Sequence, residues 1–214
     1  MTKLDEIALN IELVLISIIE AVALTFLAEN AITVMHTPEW LRYLPYLAAG
    51  LTIILVFWSQ AILHAVSFIR WPLRMEHMLL YFVAAFVQVV AYSEIEHLAL
   101  WFFWWTVFSI IALVIYIVDL RVIRDAIPKF SLHDGGAYIR EVERRHLLEM
   151  KYLVPVALAF NGIAAALVYW NPGLFENVWA LMALGALQFL FSLGALVDCV
   201  RNFHERSALL PKLF

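Results

Sequence analysis

A side chain that can bond water loses that option inside a stretch of about twenty apolar residues, so an acid or amide there must find a protein partner or serve a pathway. Several such stretches in this sequence carry one near their centre. Glu20, Gln88, Asn161 and Gln188 are the clearest; Ser109 is central in a further stretch, and Ser59 and Gln60 sit toward one end of another. Their positions predict one polar layer at mid-depth, with Glu20 as its ionisable centre and Gln88, Asn161, Gln188 and Gln60 as lining of a cation or proton pathway. A carboxylate at the bilayer centre costs about 2.5–3.5 kcal/mol on insertion scales. Glu20 is therefore expected to face the bundle interior, where it carries a proton or holds a cation. Ser17, Ala21 and Thr25 follow each other at four-residue steps, predicted on the Glu20 side of the helix, where they would admit a neighbouring helix closely. The plainer reading of the amides is helix-to-helix hydrogen bonding, worth about 0.6–2 kcal/mol.

Other residue types raise three further chemistries. Glu29, Glu39, Glu94, Glu96 and Glu176 fall on one predicted side with Arg42. Clustered at a mouth, Glu29, Glu94 and Glu96 would concentrate cations; the alternative is acids left over by a charge bias between the two sides. His64 and His77 are placed to reach similar depth on adjacent antiparallel helices, the arrangement of a bis-imidazole haem b, with Gln60 one turn from His64. Neither helix has a Gly-rich face to admit a porphyrin edge. Glu94, Glu96 and His97 supply three donors within four residues but no second cluster, so no metal is assigned. His133, His146 and His204 are expected on the surface. No nucleophile elbow, phosphate-cradling Gly loop or His-Glu-x-x-His helix occurs, and no catalytic residue is assigned. Arg121 and Arg124 fall at a helix end rather than repeating along a span, which disfavours voltage sensing.

The elements that must position these residues are apolar helices. Of 214 residues, 64% are hydrophobic and 15% charged, against about 25% charged in soluble domains. Spans are predicted at about 7–29, 44–67, 77–94, 98–119, 152–170 and 177–199, separated by breakers such as His36-Thr37-Pro38-Glu39, Trp71-Pro72-Leu73-Arg74 and Asn171-Pro172-Gly173. The acidic N-terminus and the length of the first apolar run argue against a cleaved signal peptide. Thirteen of the fourteen Lys and Arg residues flank loops or termini that six crossings put on one side; Arg42 is the exception. The positive-inside bias makes that side the cytoplasm, with both termini there. The predicted fold is thus an all-α polytopic integral membrane protein, a single domain over 1–214 with six transmembrane helices, in a plasma (inner) membrane.

Finer features follow. Trp40, Trp71, Trp101, Trp170 and Trp179 are expected at half-wet span ends, while Trp58, inside a span, is expected to need a protein partner for its N–H. The segment 121–151 reads as cytoplasmic and amphipathic, with a turn at Asp134-Gly135-Gly136 and Glu141 and Arg145 paired at i,i+4. A lone cysteine, Cys199, excludes an internal disulfide, and a net charge of −4 argues against nucleic acid. Small-residue faces (Ala157, Gly162, Ala165; Ala183, Gly185, Ala186, Gly194) permit close packing within the chain, in a homo-oligomer or with a membrane partner.

Six spans with both ends inside resemble the bacterial relatives of the lysosomal potassium channel family. The likeness is one of topology: that family carries Phe-Ser-Asp in its first helix, where this chain reads Leu15-Ile16-Ser17-Ile18-Ile19-Glu20. It implies a cation pathway and transfers no residues. The expected function is a channel or transporter subunit for a cation or proton. The alternatives are a non-catalytic scaffold or effector controlled through 131–150, and a haem-binding redox subunit.

Overall fold

The computed structural model describes residues 3–68, 75–130 and 136–207. Among them there is no strand; the chain runs α1 (Lys3–Met35), α2 (Leu44–Phe68), α3 (Met75–Ser93), α4 (Leu98–Phe130), α5 (Gly136–Leu148), a π turn (Glu149–Leu153), α6 (Val154–Trp170) and α7 (Val178–Ser207). Short 3₁₀ turns at Trp40–Arg42 and Pro172–Glu176 complete it. Five stretches are long and apolar enough to cross a membrane: Leu13–Met35, Leu44–Leu63, Leu98–Asp125, Tyr138–Trp170 and Val178–Glu205; the apolar part of α3, Leu79–Ser93, is shorter.

Three helices, α1, α4 and α7, outrun their predicted spans for identifiable reasons. α1 continues past Glu29-Asn30 to Met35 because its polar residues bond back along the helix. Asn30 Nδ2 donates to the Phe26 carbonyl (2.9 Å), and Thr33 Oγ1 to that of Glu29 (3.1 Å). α4 and α7 run on to Phe130 and Ser207, the last described residues of each, because charge ends a hydrophobic span without ending a helix. The breaker at 71–74 and the turn at 134–135 lie outside the described residues.

α2 packs along α7 and α1, and α4 along α6, α3 and α5, while α1 closes against α3. α6 and α7, neighbours in sequence, are not among the helix pairs in extensive contact. The core near the end opposite α5 is aromatic. Tyr46, Tyr92, Trp101, Phe102 and Trp105 are buried together, with Trp101 against Trp105 at 5.7 Å and Tyr92 against Trp105 at 5.6 Å, both edge-to-face. Outward faces are also apolar: Phe86, Ile163 and Leu190 are each at least 60% exposed. Such a surface suits lipid and not water.

Three expectations change. Trp101 is fully buried rather than interfacial, and Trp58 lies on an exposed face, where its ring meets the surroundings of the bundle. Ser17, Ala21 and Thr25 are exposed, because a step of four residues drifts about 40° per pair and carries the stripe off the face on which Ile16, Glu20, Ala23 and Leu27 are buried.

Two glycines set the closest approaches. A Cβ on Gly185 of α7 would stand 2.9 Å from Tyr46 Cε2 and 3.0 Å from Pro45 Cβ of α2, and one on Gly50 would stand 2.9 Å from Tyr92 Cε1 of α3. Gly194 meets nothing within 4 Å. Gly185→Ala is therefore expected to destabilise the purified protein by about 1–3 kcal/mol through overpacking. Gly194→Ala should be neutral or stabilising by up to about 1 kcal/mol from helix propensity. Thermal unfolding in detergent checks both; equal effects would contradict the α2–α7 packing.

Candidate functional site

Hydrogen bonds gather the sequence-predicted polar residues into groups: Asn161 with Gln188, Gln88 with Tyr92 beside Glu20, and Gln60 with Glu149 in a third, mostly unforeseen group toward the α5 end.

In the first, Trp101 Nε1 of α4 donates to Gln188 Oε1 of α7 (2.9 Å), and Gln188 Nε2 donates to Asn161 Oδ1 of α6 (3.0 Å). Asn161 Nδ2 completes the chain on the Ala157 carbonyl (2.9 Å). Three helices are thus joined through side chains whose polar atoms are buried and paired. Asn161 and Gln188 meet as expected, but their partner is an indole and not a carboxylate.

In the second, Glu20 of α1 is 4% exposed and Gln88 of α3 fully buried. The Tyr92 hydroxyl lies 3.1 Å from the Gly50 carbonyl and 3.4 Å from Gln88 Oε1. The Gln88 amide approaches Glu20 without closing a well-formed hydrogen bond, so neither carboxyl oxygen nor Gln88 Nε2 has a partner. Trp105 Nε1 is likewise buried and unpartnered. An ionised Glu20 would carry uncompensated desolvation on the order of several kcal/mol. The site accommodates a protonated or cation-bound carboxyl far better than a bare anion. Tyr92, which reaches Gln88, and Trp101, which bonds Gln188, have ring centroids 6.0 Å apart.

The third group gathers around Glu149, which is 7% exposed. Its Oε2 accepts from the Tyr116 hydroxyl of α4 (2.9 Å) and from Gln60 Nε2 of α2 (3.4 Å), and its Oε1 from Asn202 Nδ2 of α7 (3.4 Å). His146 stacks on Tyr116 with ring centroids 4.6 Å apart, and its Nε2 donates to the Tyr116 carbonyl (2.8 Å). The expectation that His146 is a surface residue is thereby corrected: it is 1% exposed. Gln60 was singled out from the sequence; Glu149, Tyr116 and Asn202 were not. The signal was present in the spacing of Ile139, Val142, His146 and Glu149, at steps of three, four and three residues, which is the inward stripe of a helix. All four are buried.

The π turn holding Glu149 has a local cause. Pro155 has no N–H for the Lys151 carbonyl, and its ring crowds that carbonyl, so the α ladder cannot pass through it. The Val154 N–H instead bonds the Glu149 carbonyl five residues back. Such insertions recur at functional sites.

The remaining candidates are more dispersed. Glu29 and Glu96 are exposed and Glu94 is half-buried, 3.4 Å from His97 Nδ1; Arg42 pairs with Glu39 and Tyr43. Among the described residues no group of three His, Cys, Asp or Glu side chains is placed to hold a metal. His64 and His77 fall on helical positions whose side chains lie outside the described residues. On α5, Glu141 binds Arg144 (2.6 and 2.8 Å) and lies 3.4 Å from Arg145, while Arg145 reaches Glu205 of α7 (2.9 Å).

Searches against family models, curated proteins and solved structures return no match to this chain.

The Trp101–Gln188 bond generates a stability prediction. Gln188→Leu leaves a fully buried indole N–H unsatisfied, at a cost of about 1–3 kcal/mol. Trp101→Phe/Gln188→Leu together should lose less than the sum of the single changes, as measured by a double-mutant cycle on unfolding. Strict additivity would show that the bond contributes nothing.

Proposed function

We propose that the chain is a membrane channel or transporter subunit that moves protons, with Glu20 as the buried proton-carrying group and Glu149 as a second station toward the cytoplasmic side. The observation that carries the reading is Glu20 itself: a carboxyl 4% exposed with neither oxygen hydrogen-bonded. Substitution by Leu would relieve that cost, so a bundle that keeps the acid is explained best by a use for its proton.

Protons fit this interior better than metal cations do. A metal ion must trade its hydration shell for successive rings of ligands. Here the polar groups stand in separate clusters with aromatic rings between them. A proton needs only titratable stations and transient water. On this reading Tyr92 and Trp105 form the barrier beside Glu20, and Gln60 and Tyr116 hold Glu149 at the exit.

Six crossings with both termini in the cytoplasm belong to the same proposal. α3 has 19 residues, or about 28 Å of helix, close to the hydrocarbon thickness. Arg121, Arg124, Arg140, Arg144, Arg145, Lys151 and Arg201 lie toward the α5 end and Arg42 at the opposite one, the segregation expected of an inner-membrane protein with α5 inside.

A second reading, a non-catalytic scaffold or effector subunit, is favoured by one observation. α5 is tied to α4 by Arg124–Glu143 and to α7 by Arg145–Glu205, each at 2.9 Å, while Arg140 stays exposed for a partner.

Proteoliposomes with an internal pH dye and a potassium–valinomycin clamp distinguish the two. Proton influx should follow an imposed inside-negative potential, fall at least tenfold in Glu20→Gln, and fall in Glu149→Gln. Absence of influx under every gradient, or influx unchanged by Glu20→Gln, would sink the proton reading; a stable co-purifying partner together with tolerance of Glu20→Gln would establish the scaffold.

A further inference from the structure

Between the Asn161–Gln188 layer and the Glu149–Tyr116 group lies a cavity of about 140 Å³, bounded by α2, α3, α4, α6 and α7. Its walls are chiefly apolar, and Phe57, Tyr81, Trp105, Phe108, Phe160 and Phe191 contribute rings to them. The rings form edge-to-face or tilted neighbours, Phe57 with Tyr81 at 5.1 Å, Phe57 with Phe108 at 5.6 Å and Trp105 with Phe108 at 5.3 Å.

The hydroxyls and amides on this lining are already engaged. Ser109 Oγ donates to the Trp105 carbonyl (2.8 Å) and Ser192 Oγ to that of Phe189 (2.9 Å), while Asn161 and Gln188 bond each other (3.0 Å). The surface offered to an occupant is hydrocarbon and ring. A water needs two to four polar partners and would find few here; an apolar cavity of about 150 Å³ in another protein stays dry and binds benzene.

The route in is lateral. α6 and α7 both line the cavity without packing extensively on each other, and Ala157, Phe160, Phe191 and Ala195 along that seam are half-buried.

We propose that this cavity is a binding site for an uncharged, single-ring aromatic molecule that enters from the bilayer between α6 and α7. Size, dryness and the ring-lined wall each select it: an aromatic guest continues the edge-to-face contacts of the wall, and a charged one finds no counter-ion. The site stands on the cavity alone and is independent of proton movement.

Fluorine NMR on the purified full chain in detergent tests it, with fluorobenzene as the probe and empty micelles as the baseline. Saturable binding displaced by toluene is expected, with none for 4-fluorobenzoate. Ala157→Phe and Ala195→Phe, which fill the seam, should each weaken binding at least tenfold. Size selection in the unmodified chain decides the matter even if the filled variants do not fold. Fluorobenzene should bind saturably and two-ring 1-fluoronaphthalene should not. No saturable fluorobenzene binding, equal binding of both probes, or affinity unchanged in both filled variants would overturn the site.

Discussion

Inside a bilayer a backbone or side-chain dipole cannot fall back on water, and the whole bundle is arranged around that constraint. The bond from the Trp101 indole to Gln188 shows how it is met. Trp101 is buried among Tyr46, Tyr92 and Trp105, where the indole gives a large contact area but also a donor that must be paired. Gln188 accepts that donor and passes its own amide to Asn161, so one ring dictates a polar residue on each of two other helices. The tyrosines follow the same rule by reaching backbone carbonyls: Tyr46 Oη donates to Leu181 (2.8 Å), and Tyr92 Oη lies 3.1 Å from the Gly50 carbonyl. Gly185 and Gly50 then make sense as neighbours of those rings, since a methyl at either would push the ring away from its acceptor.

Against that background the two buried acids differ. Glu149 accepts hydrogen bonds from three side chains on α2, α4 and α7, so several helix positions depend on it. Glu20 has no such set. Unpaired polar groups in its surroundings, Gln88 Nε2 and Trp105 Nε1, point the same way: this part of the interior is under-bonded, whereas the Asn161–Gln188 layer is complete. Buried polar groups left unmatched in native proteins call for an explanation such as strain, a bound ion or a chemical role. The proton carriage proposed for Glu20 would be such a role.

What could be read from the sequence depended on whether a local pattern had one physical meaning. Apolar runs of bilayer length have one, and the helices lie where they were expected. Asn161 and Gln188 were singled out because an amide in such a run must bond something. Their actual partner was hidden because a tryptophan one turn into a span looks like an interface anchor, and only packing shows it to be core. α1, α4 and α7 run past their predicted spans because polar residues end a membrane span without ending a helix. Depth along a span says nothing of azimuth, so the sequence left open that Asn161 and Gln188 bond each other while Gln88 meets Tyr92.

Glu149 was hidden for a subtler reason. The buried stripe of α5 passes through residues 139, 142, 146 and 149, and that of α6 through 154, 157, 161, 164 and 168, all buried or half-buried. Steps of three and four hold throughout except for one of five, between 149 and 154. A pattern search that assumes an unbroken α-helix loses the stripe at that point and assigns 149 to a solvated extension. The extra residue is the π turn forced by Pro155. It keeps the charged helix and the apolar helix facing the same interior, and it fixes Glu149 where the two meet. Any rotation of α5 about its axis must therefore strain the turn that holds this carboxyl against Tyr116 and Gln60. The one irregular turn in the long helical run from Gly136 to Trp170 is thus also the mechanical link between the charged segment and the buried acid.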